Sequence, residues 1–194
     1  MITPVETLLL NVIRHHLLHQ QLPSNVNGDA GRAAEDLVES MGIPINRGSG
    51  CDIPAVGWEI KTRKHTATSA QTVTAMMPEA IVSTPYRFSP VYEKIKKQLR
   101  FTTDDKDVIV SIDLCDFDQP QIQDLIEFAY EEARKKISAN LDIGYTPYEG
   151  LWGYFERTKK DRREYDFRLS DSDMDKLVGM TKSTFSALIE YDNN

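Results

Sequence analysis

Three side chains close together in the sequence could do chemistry: Asp52, Glu59 and Lys61, carried by Gly50-Cys51-Asp52-Ile53-Pro54-Ala55-Val56-Gly57-Trp58-Glu59-Ile60-Lys61-Thr62. The run from Trp58 to Thr62 reads as a strand, along which Glu59 and Lys61 leave one face while Ile60 points the other way into a core. Asp52 lies on a preceding segment that the turn at Ala55 to Gly57 folds back beside Glu59, the signature of a hairpin. Two carboxylates and the main-chain carbonyl of Ile60 then supply the all-oxygen surroundings that Mg²⁺ prefers, with Lys61 beside the metal. Phosphodiester hydrolysis needs such parts: a metal to activate water and neutralise charge growing on the phosphate, and a cation to hold the water or help deprotonate it. The competing reading is an exposed strand face bearing a solvated ion pair.

The elements that must position these residues follow from the apolar patterning. Residues 5 to 20 carry Leu8, Val12 and Leu17 at the spacing of an amphipathic helix. A second helix from Asp29 repeats Ala33, Ala34, Leu37, Val38 and Met41, carries Glu35, and stops at Gly42 before Pro44. Asn46 to Gly50 is a turn. A strand is predicted over residues 107–114, a helix over 119–137, strands over 151–157 and 164–169, and two short helices starting near Ser170 and Thr181. This alternation predicts an α/β sandwich in a single domain over residues 1–194. Its parts are N-terminal helices at 1–42, a catalytic hairpin and core at 43–169 with a central mixed sheet flanked by helices, and a helical tail at 170–194.

The Asp-x6-Glu-x-Lys-Thr arrangement resembles the PD-(D/E)xK motif, and over about residues 31 to 75 the chain is similar to MutH-type mismatch-repair nicking enzymes and related type II restriction endonucleases. The sequence departs from the conventional form in having Cys51 before Asp52 and Pro54 after it. The resemblance implies a restriction-endonuclease-like core, with Asp52, Glu59 and the carbonyl of Ile60 as metal ligands and Lys61 as the catalytic lysine. It also implies that Glu35, in Gly31-Arg32-Ala33-Ala34-Glu35-Asp36-Leu37, is an auxiliary acid. The cofactor is then Mg²⁺, with Mn²⁺ able to substitute. The substrate is DNA, cut to leave a 5′-phosphate by a monomer or homodimer; one copy of such a site cuts one strand at a time, so a double-strand cut takes two subunits or two successive nicks.

Charge speaks mildly against this reading, since 23 basic and 30 acidic residues leave a net −7 whereas nucleic-acid binders are usually basic where they touch phosphate. Two stretches are nevertheless locally positive: Tyr92 to Arg100, with Lys94, Lys96 and Lys97, and Arg157 to Arg163, with Lys159, Lys160 and Arg162. Lys64, His65, Ser69 and Gln71 are either backbone contacts or an ordinary polar loop. Tyr145, Tyr148 and Trp152 are either a DNA-facing loop or half-buried packing. His15 and His19 are four apart on a helix and read as ordinary surface or core histidines. Cys51 and Cys115 are too few for a zinc motif and are expected to stay reduced. With no run of eighteen apolar residues, neither a membrane span nor a secretory leader is expected, and the chain reads as intracellular and cytoplasmic.

Other functions compete with a DNA nuclease. The same chemistry would serve RNA or branched DNA. The terminal helix pair, with Lys182, Ser183 and Thr184 opening its second helix, supports a non-catalytic DNA-binding module of helix-turn-helix type. Net acidity and the absence of an obvious continuous basic face point to a structural or assembly protein.

Overall fold

The computed structural model describes residues 2–23, 30–48, 50–67, 70–139, 154–156, 164–170 and 174–181. Its elements, in chain order, are α1 (Pro4–Leu17), α2 (Ala30–Ser40), β1 (Glu59–Lys64), β2 (Gln71–Met76), α3 (Pro78–Ser83), a 3-10 turn (Tyr86–Phe88), α4 (Pro90–Ile95), β3 (Lys97–Thr103), β4 (Ile109–Asp116), α5 (Pro120–Ser138), β5 (Tyr154–Glu156) and β6 (Tyr165–Leu169). Residues 174–181 are also helical. The protein is mixed α/β. Where the patterning predicted one central sheet, the described strands form two three-stranded sheets, one mixed and one antiparallel. The chain divides into two compact units, Met1–Ala67 with Lys96–Asp116, and Thr68–Ile95 with Phe117–Asn194.

In the first unit, α1 begins with a capping box. The Thr3 hydroxyl accepts from the Glu6 N–H, and Glu6 accepts from the Thr3 N–H at 2.7 Å. Pro4 occupies the first turn, where its missing N–H costs nothing. The helix ends at Leu17, short of the predicted residue 20, because His19 donates to the Ile109 carbonyl and Ile109 donates to the Gln20 carbonyl, both at 2.9 Å. Those bonds draw the chain alongside β4 instead of letting it coil further.

The mixed sheet has the order β1-β3-β4, with β1 parallel to β3 and β3 antiparallel to β4. Its register sets Glu59 opposite Gln98, Lys61 opposite Arg100, and Arg100 opposite Asp113. Strand alternation gives this sheet two unlike faces. Ile60, Leu99, Phe101 and Ile112 form one core with Leu10, Ile13 and Leu17 of α1 and Ala33, Ala34 and Val38 of α2. The residues between them, Glu59, Lys61, Gln98, Arg100 and Asp113, fall on the opposite face. The central strand β3 corrects the sequence reading, which saw in Tyr92 to Arg100 only a basic stretch. Likewise Gln71 opens β2 instead of belonging to a polar loop.

The second unit is built on the antiparallel sheet β2-β6-β5, whose central strand buries Tyr165, Phe167 and Leu169. Phe155 of β5 meets Phe167 and Tyr130 of α5 with ring centroids 5.0 and 5.6 Å apart. Such aromatic packing sustains a small sheet. Here the predicted strands at 151–157 and 164–169 and the helix at 119–137 are present within a few residues, and β4 likewise matches the strand predicted at 107–114. Thr181 ends the described helix over residues 174–181, and the rest of the helix predicted to start near it lies outside the described residues. No helix among the described residues is long and apolar enough to cross a membrane.

Candidate active site

The loop before β1 is shaped by main-chain hydrogen bonds. Ile53 and Trp58 exchange bonds, Ile53 donating at 2.8 Å and Trp58 at 3.2 Å, and close a turn over residues 54–57. Gly57 has φ +68°, a conformation that suits glycine, and a Cβ there would meet nothing within 4 Å, so the demand is one of backbone conformation and not of space. The predicted hairpin is thus reduced to a single bridge, and it is enough to lay Asp52 against the start of β1. Upstream, the Asn46 N–H donates to the Asp52 carbonyl at 2.8 Å and steadies the same segment.

From there Asp52 reaches β1 directly, its Oδ2 accepting the Ile60 N–H at 2.7 Å. A strand residue presents its N–H and its carbonyl to the same side. The Ile60 carbonyl therefore also faces the Asp52 side of β1, away from β3. Next to it, Lys61 Nζ donates to Glu59 Oε1 at 2.9 Å. Both carboxylates are almost withdrawn from water, Asp52 at 8% exposure and Glu59 at 3%. Buried carboxylates require compensating positive charge or donors. Two carboxylates and a main-chain carbonyl are hard oxygen donors, the kind a divalent cation such as Mg²⁺ takes.

Glu35 has Arg47 as a neighbour. It is half-buried on α2, with its Oε2 3.9 Å from Arg47 Nε, while Arg47 Nη2 lies 2.6 Å from both Asp36 Oδ1 and Glu39 Oε2. Arg47, from the turn before the site, therefore gathers three acids of one helix. Among the described residues no three His, Cys, Asp or Glu side chains form a group able to hold a metal. The geometry brings Asp52, Glu59, Ile60 and Lys61 together and sets Glu35 against Arg47.

Two further groups were not found from the sequence. Gln98 and Arg100 share the Glu59 and Lys61 face, and Arg100 Nη1 donates to Gln98 Oε1 at 3.3 Å. Their signal was the short alternation Gln98-x-Arg100, the counterpart of Glu59-x-Lys61. The second is Glu6, whose Oε1 accepts from Trp58 Nε1 at 3.0 Å and from Lys97 Nζ at 2.6 Å. Burial pushes the Glu6 carboxyl up, but hydrogen bonds from Lys97, Thr3 and Trp58 outweigh it and hold the pKa at about 2. Trp58 and Lys97 immediately precede Glu59 and Gln98, so Glu6 clamps the roots of both site-bearing strands.

The remaining sequence candidates add little. His15 and His19 are exposed and belong to no metal-holding group among the described residues. Cys51 and Cys115 form no disulfide. Lys64 closes β1, where its Nζ lies 3.1 Å from Asp107 Oδ1, and His65 donates its backbone N–H to the Thr103 carbonyl at 2.8 Å. Ser69, the Arg157 to Arg163 run, Tyr145, Tyr148, Trp152 and Lys182 to Thr184 lie outside the described residues. No protein-family model matches the chain, and no curated protein sequence matches it.

Proposed function

We propose that the protein is a Mg²⁺-dependent DNA endonuclease of the PD-(D/E)xK kind, with the β1-β3-β4 sheet and its two backing helices as a restriction-endonuclease-like core. The observation that carries the reading is the organisation of two buried carboxylates around Ile60, Asp52 on its N–H and Glu59 beside it with Lys61 attached. Asp52, Glu59 and the Ile60 carbonyl would hold the cation. When bound, a divalent cation lowers the pKa of water and neutralises charge on the phosphate. Lys61, fixed by Glu59, places an ammonium donor where it can orient the attacking water. Asp52 keeps its own orientation through the Ile60 N–H, which cannot move without unpairing β1. One such centre cuts one strand, so cutting both strands of a duplex takes two chains or two successive events.

The reading is tested with supercoiled plasmids of differing sequence and methylation, incubated with Mg²⁺ or with EDTA beside Glu59→Ala and Lys61→Ala proteins. Discrete nicked or linear DNA, made by the wild type only with Mg²⁺ and lost in both variants, is the expected result. Full cutting by Lys61→Ala, or cutting in EDTA, would end it.

A further inference from the structure

We infer that Arg100 is a second cation of the site, a phosphate-gripping residue on the neighbouring strand, and that Gln98 is the positioning residue that aims it; the inference rests on the nuclease reading above. Its first support is register. Parallel pairing puts Arg100 opposite Lys61 and Gln98 opposite Glu59, and paired residues on adjacent strands project side by side from one face, with the strands about 4.8 Å apart. Arg100 is thus brought to the site by the sheet itself and not by a mobile loop.

The second support is burial. Gln98 is wholly buried, and its Oε1 accepts from Arg100 Nη1 at 3.3 Å. An amide withdrawn from water must be hydrogen-bonded, and here its acceptor is used to direct a guanidinium. A guanidinium has five N–H donors in a rigid fork. Two of these, lying parallel, can address two oxygens of one phosphate.

The third support is charge. Asp52 and Glu59 cancel Lys61 and Arg100 formally, and Asp113, opposite Arg100 on β4, is offset by Arg14 at 3.6 Å, so a bound divalent cation leaves the centre with two positive charges. A phosphodiester carries one negative charge, and addition of hydroxide raises it to two. Without Arg100 the centre would fall one charge short of that state. Lys61 cannot make up the difference, because its ammonium is held by Glu59. The planar guanidinium also suits bidentate phosphate contact, which an ammonium does not reproduce.

The experiment compares wild type, Arg100→Ala, Arg100→Lys and Gln98→Met by plasmid cutting with Mg²⁺ and by thermal melting. A separate binding readout in EDTA uses a fluorescein-labelled duplex over a range of NaCl concentrations. Arg100→Ala is expected to cut on the order of 10²-fold more slowly, and its slope of log affinity against log salt is expected to fall by about 0.9, the loss of one phosphate contact. Arg100→Lys should regain the slope but not the rate, and Gln98→Met should slow cutting while keeping the slope. If Arg100→Ala melts lower yet keeps the wild-type slope, Arg100 is a counter-charge for Glu59 and the inference fails. If the wild type cuts with Mg²⁺ and needs Lys61, whereas Arg100→Ala cuts equally fast, the inference fails and the nuclease reading survives. A wild type that neither cuts nor binds duplex ends both.

Discussion

The first unit contains two buried glutamate–lysine pairs at the same end of the same strands, and they are built for different purposes. Glu6 and Lys97 are 2.6 Å apart, Glu59 and Lys61 are 2.9 Å apart, and both glutamates are nearly inaccessible to water. Glu6 takes Trp58 from 52 residues away and Lys97 from 91 residues away, besides capping its own helix. It joins α1, the root of β1 and the first residue of β3. Glu59 takes Lys61 from two residues along the same strand, a bond that by itself joins no two elements. A buried carboxylate–ammonium pair is therefore not in itself the mark of a site. A pair that spans the chain holds distant elements in place, whereas the bond between Glu59 and Lys61 stays within one strand and carries the cost of withdrawing two charges from water, which makes it the better candidate for a site.

The sharpest way to break that contrast is to truncate each glutamate in turn. Glu59→Ala is expected to slow plasmid cutting on the order of 10²-fold or more. Glu6→Ala should instead destabilise the fold by about 3–5 kcal/mol, as when one partner of a buried pair is removed. Its rate per folded molecule should stay near wild type. Thermal melting and cutting measured well below both melting points separate the two effects. Equal losses of stability with cutting that only tracks the folded fraction would erase the distinction and return Glu59 to a structural role.

A smaller effect follows from pH. The Glu6 carboxyl, with an ordinary value of 4.5, is held at about 2 in the folded protein. A depressed folded value means that its stabilising contribution is complete above about 4.5 and is lost as pH falls toward 2. Glu6→Gln cannot titrate at that position. The Tm gap between wild type and Glu6→Gln should be widest near pH 6 and shrink steadily between pH 4.5 and 2. A gap independent of pH over that range would mean that the carboxylate charge contributes nothing, and that Glu6 acts by hydrogen bonding alone.

How far the sequence could be read follows the same division between local and distant partners. The shared face of Glu59 and Lys61 is readable because strand alternation is a property of neighbouring residues. The approach of Asp52 to β1 is readable because the turn that folds it back lies within six residues. Helices α1, α2 and α5 declare themselves by repeating apolar positions. β3 does not, since Lys97, Gln98, Arg100, Thr102 and Thr103 are polar and only Leu99 and Phe101 mark its core face. Gln98 looks like a surface residue until parallel pairing with β1 buries it. Glu6 looks like an ordinary helix cap, and nothing within its own turn foretells Trp58 or Lys97. For Glu35 the sequence offers three acids on one helix, and only the position of Arg47 decides what holds them.

That cluster supplies the smallest expected effect and the limiting case of the comparison. Arg47, Asp36 and Glu39 are largely solvent-exposed, so their 2.6 Å contacts are weakened by solvent competition and by salt. Arg47→Ala should shift the melting temperature only slightly, and the shift should vanish near ~0.5 M NaCl, where screening reaches a few ångströms. Because the same substitution releases Glu35 from its cation, cutting by Arg47→Ala also reads whether Glu35 supports the site from where α2 holds it. A loss below tenfold, matched by Glu35→Gln, would keep Glu35 in an auxiliary role. A loss as deep as that of Lys61→Ala would instead show that the turn carrying Arg47 positions Asp52 through the Asn46 to Asp52 main-chain bond.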